Sequence, residues 1–253
     1  MLRFRLKKRA KILLVAIAIF AAVGFAGRQY ARIANGQILI QLDYAKDEQL
    51  LTESDIEAIV NDFRRGDSLS TEPGAINLVA LENRIKQYNF VEDCQVSRDL
   101  KGTLFIKVSQ RKPVARVMRN KGGSYYLSNE GKMIPTSDKF TARVLIITGA
   151  GTDSLSNLDT LVQPYGKALV EVLNYIDKDP FWKAQIAQID IDKDMHLTLY
   201  PTVGEQVIEF GEPADIEKKF QRLALFYDKI VPAKGWMAYR KVKLGFNNQI
   251  VCE

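Results

Sequence analysis

The sequence predicts an α+β protein: an N-terminal transmembrane helix, a β-α-α-β-β unit, then a mostly antiparallel β domain with two helices. Three observations carry this reading. Residues 12–27 are uncharged and follow a run of bases. Apolar residues at period two and then at about 3.6 mark strand, helix, helix, strand, strand over residues 36–108. Beyond that, short alternating runs punctuated by Gly, Asn and Pro recur to the C-terminus, interrupted by two helical patterns.

The N-terminus explains the charge. Net charge is +6 over 253 residues, yet Arg3, Arg5, Lys7, Lys8, Arg9 and Lys11 precede the first acid, Asp43. Set aside that tail, and thirty bases face thirty acids. No basic face remains for nucleic acid. The apolar run Ile12 to Gly27 would cover about 24 Å as a helix, short of a hydrocarbon core about 30 Å thick. Lys11 and Arg28 can snorkel and Tyr30 suits the interface, which extends the anchor to residues 12–30. The six bases orient it with residues 1–11 in the cytoplasm and the remainder exported. A retained anchor is favoured over a cleaved signal, since Gly24-x-Ala26 only loosely meets the small-residue rule for cleavage.

In GQILIQLDY, residues 36–44, Ile38, Ile40 and Leu42 share one strand face. A helix follows, capped by Thr52 or Ser54, with Ile56, Ile59, Val60 and Phe63 as its stripe and Arg65-Gly66 at its end. After a polar loop through Pro73-Gly74, a second helix at about 77–88 places Leu78, Leu81, Ile85 and Tyr88 on one side. Cys94 and Val96 face inward on the next strand, DLKG at 99–102 turns the chain, and Leu104, Ile106 and Val108 alternate on the next. Two helices on one face of a three-stranded sheet make a self-sufficient unit.

From Pro113 to Pro135 the pattern gives a hairpin about Lys121-Gly122-Gly123 and a further turn at Asn129 to Gly131. The strand VLIIT and a polar stretch precede a helix at about 161–178, with Tyr165, Leu169, Val172 and Ile176 on one face and Pro180 ending it. Strands are expected at about 186–192, 195–200 and 205–210. The last helix, about 213–230, carries Ile216, Phe220, Leu223, Tyr227 and Ile230, with Pro232 stopping it. The tail MAYRKVKLGFNNQIVCE closes with a strand, an Asn247-Asn248 turn and a terminal strand, Gln249 to Cys252.

The anchor together with FVEDCQVSRDLKGTLFIKVSQRKPVA and YLSNEG, residues 126–131, resembles the FtsQ/DivIB family of bacterial cell-division proteins. Asn129 stands where that family places an acid, and Asn performs the same turn chemistry. The resemblance implies a POTRA domain at 31–114 and an FtsQ-type β domain at 115–253. It implies a single-pass protein of the inner membrane at the septum, which links early and late division proteins. It also implies capture of FtsB/FtsL-like partners by the last strands: Lys243 and Leu244 in the penultimate one, and Gln249, Ile250, Val251 and Cys252 in the last.

Catalytic signatures fail one by one. His196 is the lone histidine and alternates with Leu197 onto the outer face of its strand. Asp190-Ile191-Asp192-Lys193-Asp194 has the opening spacing of a calcium loop, but Met195 occupies the required Gly position and Pro201 the Glu position, leaving a hairpin turn. Gly149-Ala150-Gly151 lacks the third glycine of a dinucleotide fingerprint, with Ser154 there instead, and reads as a loop. Cys94 and Cys252, in different domains, with one histidine, make no zinc set. The expectation is a non-enzyme with no cofactor and no small-molecule substrate. A POTRA-bearing polypeptide-transport or outer-membrane assembly component is the rival, but no series of ten-residue alternating barrel strands recurs.

Overall fold

The computed structural model describes residues 17–22, 24, 37–44, 49–66, 76–100, 102–138, 140–155, 163–246 and 249–253. Residues 17–22 and 24 are helical. Among the described residues no helix is long and apolar enough to cross a membrane. The six orienting bases, most of the apolar run and the Asn247-Asn248 turn lie outside the described residues. The chain forms two compact units, the described parts of Met1–Asp43 with Leu51–Gln110, and Tyr44–Leu50 with Arg111–Glu253.

In the first unit, strand β1 (Ile38–Asp43) shows strict alternation, with Ile38, Ile40 and Leu42 turned inward. Helix α1 (Glu53–Gly66) starts at Thr52, whose N–H and hydroxyl both donate to Asp55 Oδ2 at 3.0 and 2.6 Å. Asp55 reaches back over the first turn, so the cap is Thr52 and not Ser54. Asn77 caps helix α2 (Leu78–Lys86) by accepting the Ala80 N–H at 3.0 Å. Tyr88 falls beyond that helix and is exposed. Strands β2 (Val91–Arg98) and β3 (Leu104–Gln110) pair antiparallel, while β1 runs parallel to β3, giving the order β1-β3-β2. Ile56 and Val60 of α1, Leu81 and Ile85 of α2, and Cys94, Leu104, Ile106 and Val108 of the sheet are all buried.

The second unit is built on one nine-stranded sheet. Its strands are β4 (Pro113–Met118), β5 (Ser124–Ser128), β6 (Met133–Pro135), β7 (Leu145–Thr148), β8 (Ile186–Ile191), β9 (Leu197–Pro201), β10 (Val207–Gly211), β11 (Lys241–Lys243) and β12 (Val251–Cys252). The spatial order is β12-β11-β10-β9-β8-β7-β4-β5-β6. Its helices are α3 (Thr152–Leu155), α4 (Pro164–Lys178), α5 (Pro180–Gln185), α6 (Ile216–Leu225) and α7 (Val231–Lys234), with a π-helical turn at Phe226–Ile230.

Several sequence expectations need correction. The sheet is mostly antiparallel, as expected, but not wholly so: β4–β7, β7–β8 and β10–β11 are parallel, and the other five pairings are antiparallel. Parallel neighbours require a crossover, and the two long helices supply two of them, α4 between β7 and β8 and α6 between β10 and β11. Pro180 does not merely end α4. It opens α5 at a first-turn position, where its missing N–H costs nothing, and Asp179 caps it by accepting the Phe181 N–H at 2.8 Å. Pro232 likewise sits in the first turn of α7, after the π-helical turn has re-phased the ladder. Gly235, at φ 90°, ends that helix. The last long helix begins at Ile216 rather than Pro213 because Asp215 is left-handed, at φ 51°.

One buried face of the sheet carries Val117, Leu127, Ile147, Ile189, Leu197, Leu199, Ile208, Phe210 and Val242. The helices cover it with an aromatic cluster centred on Phe220, whose ring lies 4.5 Å from Tyr175, 5.0 Å from Trp182 and 5.4 Å from Phe210. Removing this fully buried ring leaves a cavity with three aromatic walls. Phe220→Ala is expected to destabilise the second unit by about 3–5 kcal/mol, read as a lower urea midpoint.

A single carboxylate ties the start of β4 to the ends of α4 and α5. Asp177 lies 2.5 Å from Lys112 Nζ and 2.8 Å from Lys183 Nζ, with its side chain 15% exposed. Burial alone would raise its pKa, but hydrogen bonds from Lys112 and Lys183 outweigh that and hold it below the ordinary value. A depressed folded-state pKa stabilises the fold above the unfolded value, and that stabilisation is lost as pH falls through the folded one. Asp177→Asn should therefore cost about 1–3 kcal/mol at pH 7, with wild type and variant converging as pH falls below about 4 in a denaturation series.

Candidate partner-binding edge

The sheet ends at β12, and hydrogen bonding there has a definite polarity. Lys241 and Glu253 exchange N–H···O bonds at 3.0 and 2.9 Å, making them a hydrogen-bonded pair of the antiparallel ladder. Val242 pairs with Cys252 and Lys243 with Val251. Bonding alternates along such a ladder, so Val242:Cys252 is a non-hydrogen-bonded pair. The N–H and C=O of Cys252 therefore point away from β11, toward the open side of the sheet.

Side chains along the edge alternate too. Ile250 and Cys252 are half-buried and pack against the core, whereas Val251 lies on the opposite face. Burial pushes the Cys252 thiol pKa up. Lys243 Nζ lies 2.7 Å from Glu253 Oε1, and Lys241 Nζ lies 2.7 Å from Glu209 Oε1. The Lys243 hydrogen bond holds the Glu253 carboxyl below its usual range, and the Glu209 hydrogen bond raises Lys241.

The structure places the remaining expected residues as follows. Leu244 is fully buried, its N–H donates to Glu209 O at 2.9 Å, and its carbonyl is also occupied. It belongs to the core because it continues the inward alternation from Val242. The terminal strand is Val251–Cys252, shorter than Gln249 to Cys252, and Gln249 is exposed beside it.

Sequence reasoning missed Arg222. From α6 its guanidinium donates to Leu244 O at 3.0 Å, to Gln249 O at 3.3 Å and to Phe246 O. A planar donor fork is suited to gathering several carbonyls, and here it gathers those of residues on both sides of positions 247–248. The only sequence signal was a base one residue before Leu223 on an amphipathic helix, which reads equally well as a solvated charge.

The other residues singled out from the sequence are placed as follows. His196 is exposed at the β8–β9 hairpin, where its N–H donates to Asp192 Oδ1 at 2.9 Å. Asp190 to Asp194 bridge the end of β8 and the turn; the Asp192 carboxyl is held below its usual range, chiefly by the His196 N–H. Gly149 has φ 104°, and an added Cβ would meet Ile191 O at 2.2 Å, so close backbone approach explains that glycine. Cys94 and Cys252 are unbridged. Among the described residues no group of three or more His, Cys, Asp or Glu side chains could hold a metal.

Residues 112–253, which contain the whole nine-stranded sheet and its open edge, match the family model "FtsQ/DivIB, C-terminal related". The chain belongs to the FtsQ/DivIB family. It is similar to the cell division protein FtsQ of Geotalea daltonii, with 28% identity over 97% of this chain and 87% of the relative. It is also similar to the cell division protein FtsQ of a Geobacter species, with 27% identity over 92% of this chain and 83% of that relative. Membership in this family gives the protein a role related to cell division.

If Arg222 holds the closing turn, Arg222→Ala should release it without melting the core. Amides of residues 249–253 are expected to exchange at least about tenfold faster, a loss of about 1.4 kcal/mol of local protection, while those of β8 and β9 stay unchanged.

Proposed function

We propose that the protein is a non-catalytic, single-pass scaffold of the bacterial division machinery that captures FtsB/FtsL-like partners by strand addition at β12. In this reading the N-terminal segment anchors it in the inner membrane with the bulk of the chain outside the cytoplasm. The β-α-α-β-β unit is a POTRA domain that aids recruitment to the septum, and the second unit links early to late division proteins.

The observation that supports the capture site is the outward direction of the Cys252 N–H and C=O. An added strand takes its affinity from such main-chain groups and its specificity from alternate side chains. The opposite edge is less suited, since β6 ends at Pro135, which has no N–H to offer. Of the six residues the resemblance implies, Lys243, Gln249, Ile250, Val251 and Cys252 lie at or beside the edge, and Leu244 supports it from within.

Two substitutions separate capture from folding. Val251→Glu places a charge on the accepting strand without entering the core. Cys252→Pro removes the outward N–H, which the β11–β12 ladder does not use. Each should weaken binding of purified FtsB/FtsL-like ectodomains to the detergent-solubilised full chain by about tenfold or more, with a cooperative thermal melt retained. Wild-type affinity in both variants would exclude β12 as the capture edge.

A further inference from the structure

The outer face of the first unit's sheet is graded along its length. At one end, Leu39 of β1 and Phe105 of β3 are cross-strand partners, 49% and 42% exposed. Leu100, at the turn between β2 and β3, is 99% exposed. In the middle, Lys107 of β3 lies between Gln41 and Gln95. At the far end, Asp43 and Asp93 flank Ser109. One residue type thus follows another along the strands: apolar, cationic, acidic.

The tip is held firmly. Asp99 N–H donates to Thr103 O at 3.1 Å, Gly102 N–H to Asp99 O at 3.1 Å, and Thr103 N–H to Asp99 Oδ1 at 2.8 Å. This turn carries Leu100 outward at the same end of the sheet as the exposed Leu39–Phe105 pair, and it is the grouping of the three that marks an interaction surface.

Topology fixes where this end points along the chain. Because β1 runs parallel to β3, the chain enters the sheet beside the β2–β3 turn, and Leu104 N–H donates to Gln37 O at 2.9 Å. Ten residues, 28–37, separate that entry from the last residue of the apolar run, Gly27. They span at most about 35 Å, so the apolar end is the tethered end.

We propose that Leu100, Leu39 and Phe105 form a membrane-contact tip that seats in the headgroup region of the bilayer to which the chain is anchored. The occupant is a lipid surface. Interfacial elements bury apolar side chains about 5–10 Å into the headgroup boundary, and Lys107 lies about 7 Å along the strand behind Phe105, at the depth of lipid phosphates. Its long stem allows the ammonium to reach that layer. The carboxylates of Asp43 and Asp93, about 13 Å behind the Phe105 level, stay clear of phosphate. The inference rests on the anchored reading given above.

The test uses full-length chain in nanodiscs of phosphatidylethanolamine and phosphatidylglycerol containing nitroxide lipids. Cys252→Ser is the background. Cys94 is buried with its thiol pushed up to about 12, so it resists labelling. A fluorophore is attached in turn at Leu100→Cys, Asp93→Cys and Phe20→Cys. Leu100 is expected to be quenched about threefold or more above Asp93 by shallow nitroxides, and Phe20 by deep ones. Quenching at Phe20 with equal, low values at Leu100 and Asp93 would overturn the tip while leaving the anchor. Quenching at Leu100 alone would uphold the tip and overturn the anchor, and quenching at none would overturn both.

Discussion

Two parallel neighbouring strands cannot be joined by a tight turn, and the second unit is organised by that constraint. Between β10 and β11 the chain must leave the sheet, cross its buried face and return. That crossing is α6, the π-helical turn and α7. It brings Phe220 over Phe210 and sets the aromatic cluster that holds helices to sheet. It also delivers the last residues of the chain to the outside of β11, where a two-residue hairpin mate completes the sheet. The core and the terminal edge are consequences of one crossover.

The edge that results is short, and exposed edges in proteins are commonly kept short or charged to avoid indiscriminate pairing. Here the safeguards are visible: β12 has two residues, and the Lys243–Glu253 ion pair flanks it. Exposed ion pairs of this kind contribute little to stability. In the proposed capture their effect would be selective, since a strand arriving with the wrong charge pattern would meet them first. Arg222 bonds the carbonyls of Leu244 and Gln249, and for the proposed capture that order would lower the conformational entropy binding has to remove.

Where period alone decided, the sequence was legible. Leu104, Ile106 and Val108, and Ile38, Ile40 and Leu42, face inward as their alternation required. The helical stripes of Leu169, Val172 and Ile176, and of Phe220 and Leu223, lie in the core. Proline's signal is two-sided: Pro180 ends one helix as expected and also opens the next, where Asp179 caps it, while Pro232 stops nothing and lies in the first turn of α7. Parallel pairing escaped because partner choice depends on which strands meet, and local pattern does not encode that. Leu244 entered the partner-binding set through the family resemblance, although its spacing of two from Val242 pointed inward. Arg222 was invisible since its partners are main-chain carbonyls more than twenty residues away, and a carbonyl leaves no trace in a sequence.

The same reasoning explains why a binding edge of the proposed kind is hard to read from sequence. An enzyme concentrates its function in a few side chains of particular types, which composition and spacing can reveal. A strand-accepting edge uses groups that every non-proline residue carries, so its location depends on topology and register. The outward Cys252 N–H becomes identifiable only once Lys241 and Glu253 are known to exchange their hydrogen bonds. Such recognition also asks little of side-chain identity beyond alternate facing and the absence of proline. Capture of the proposed kind would tolerate identities of 27–28%, the level at which this chain resembles these two relatives.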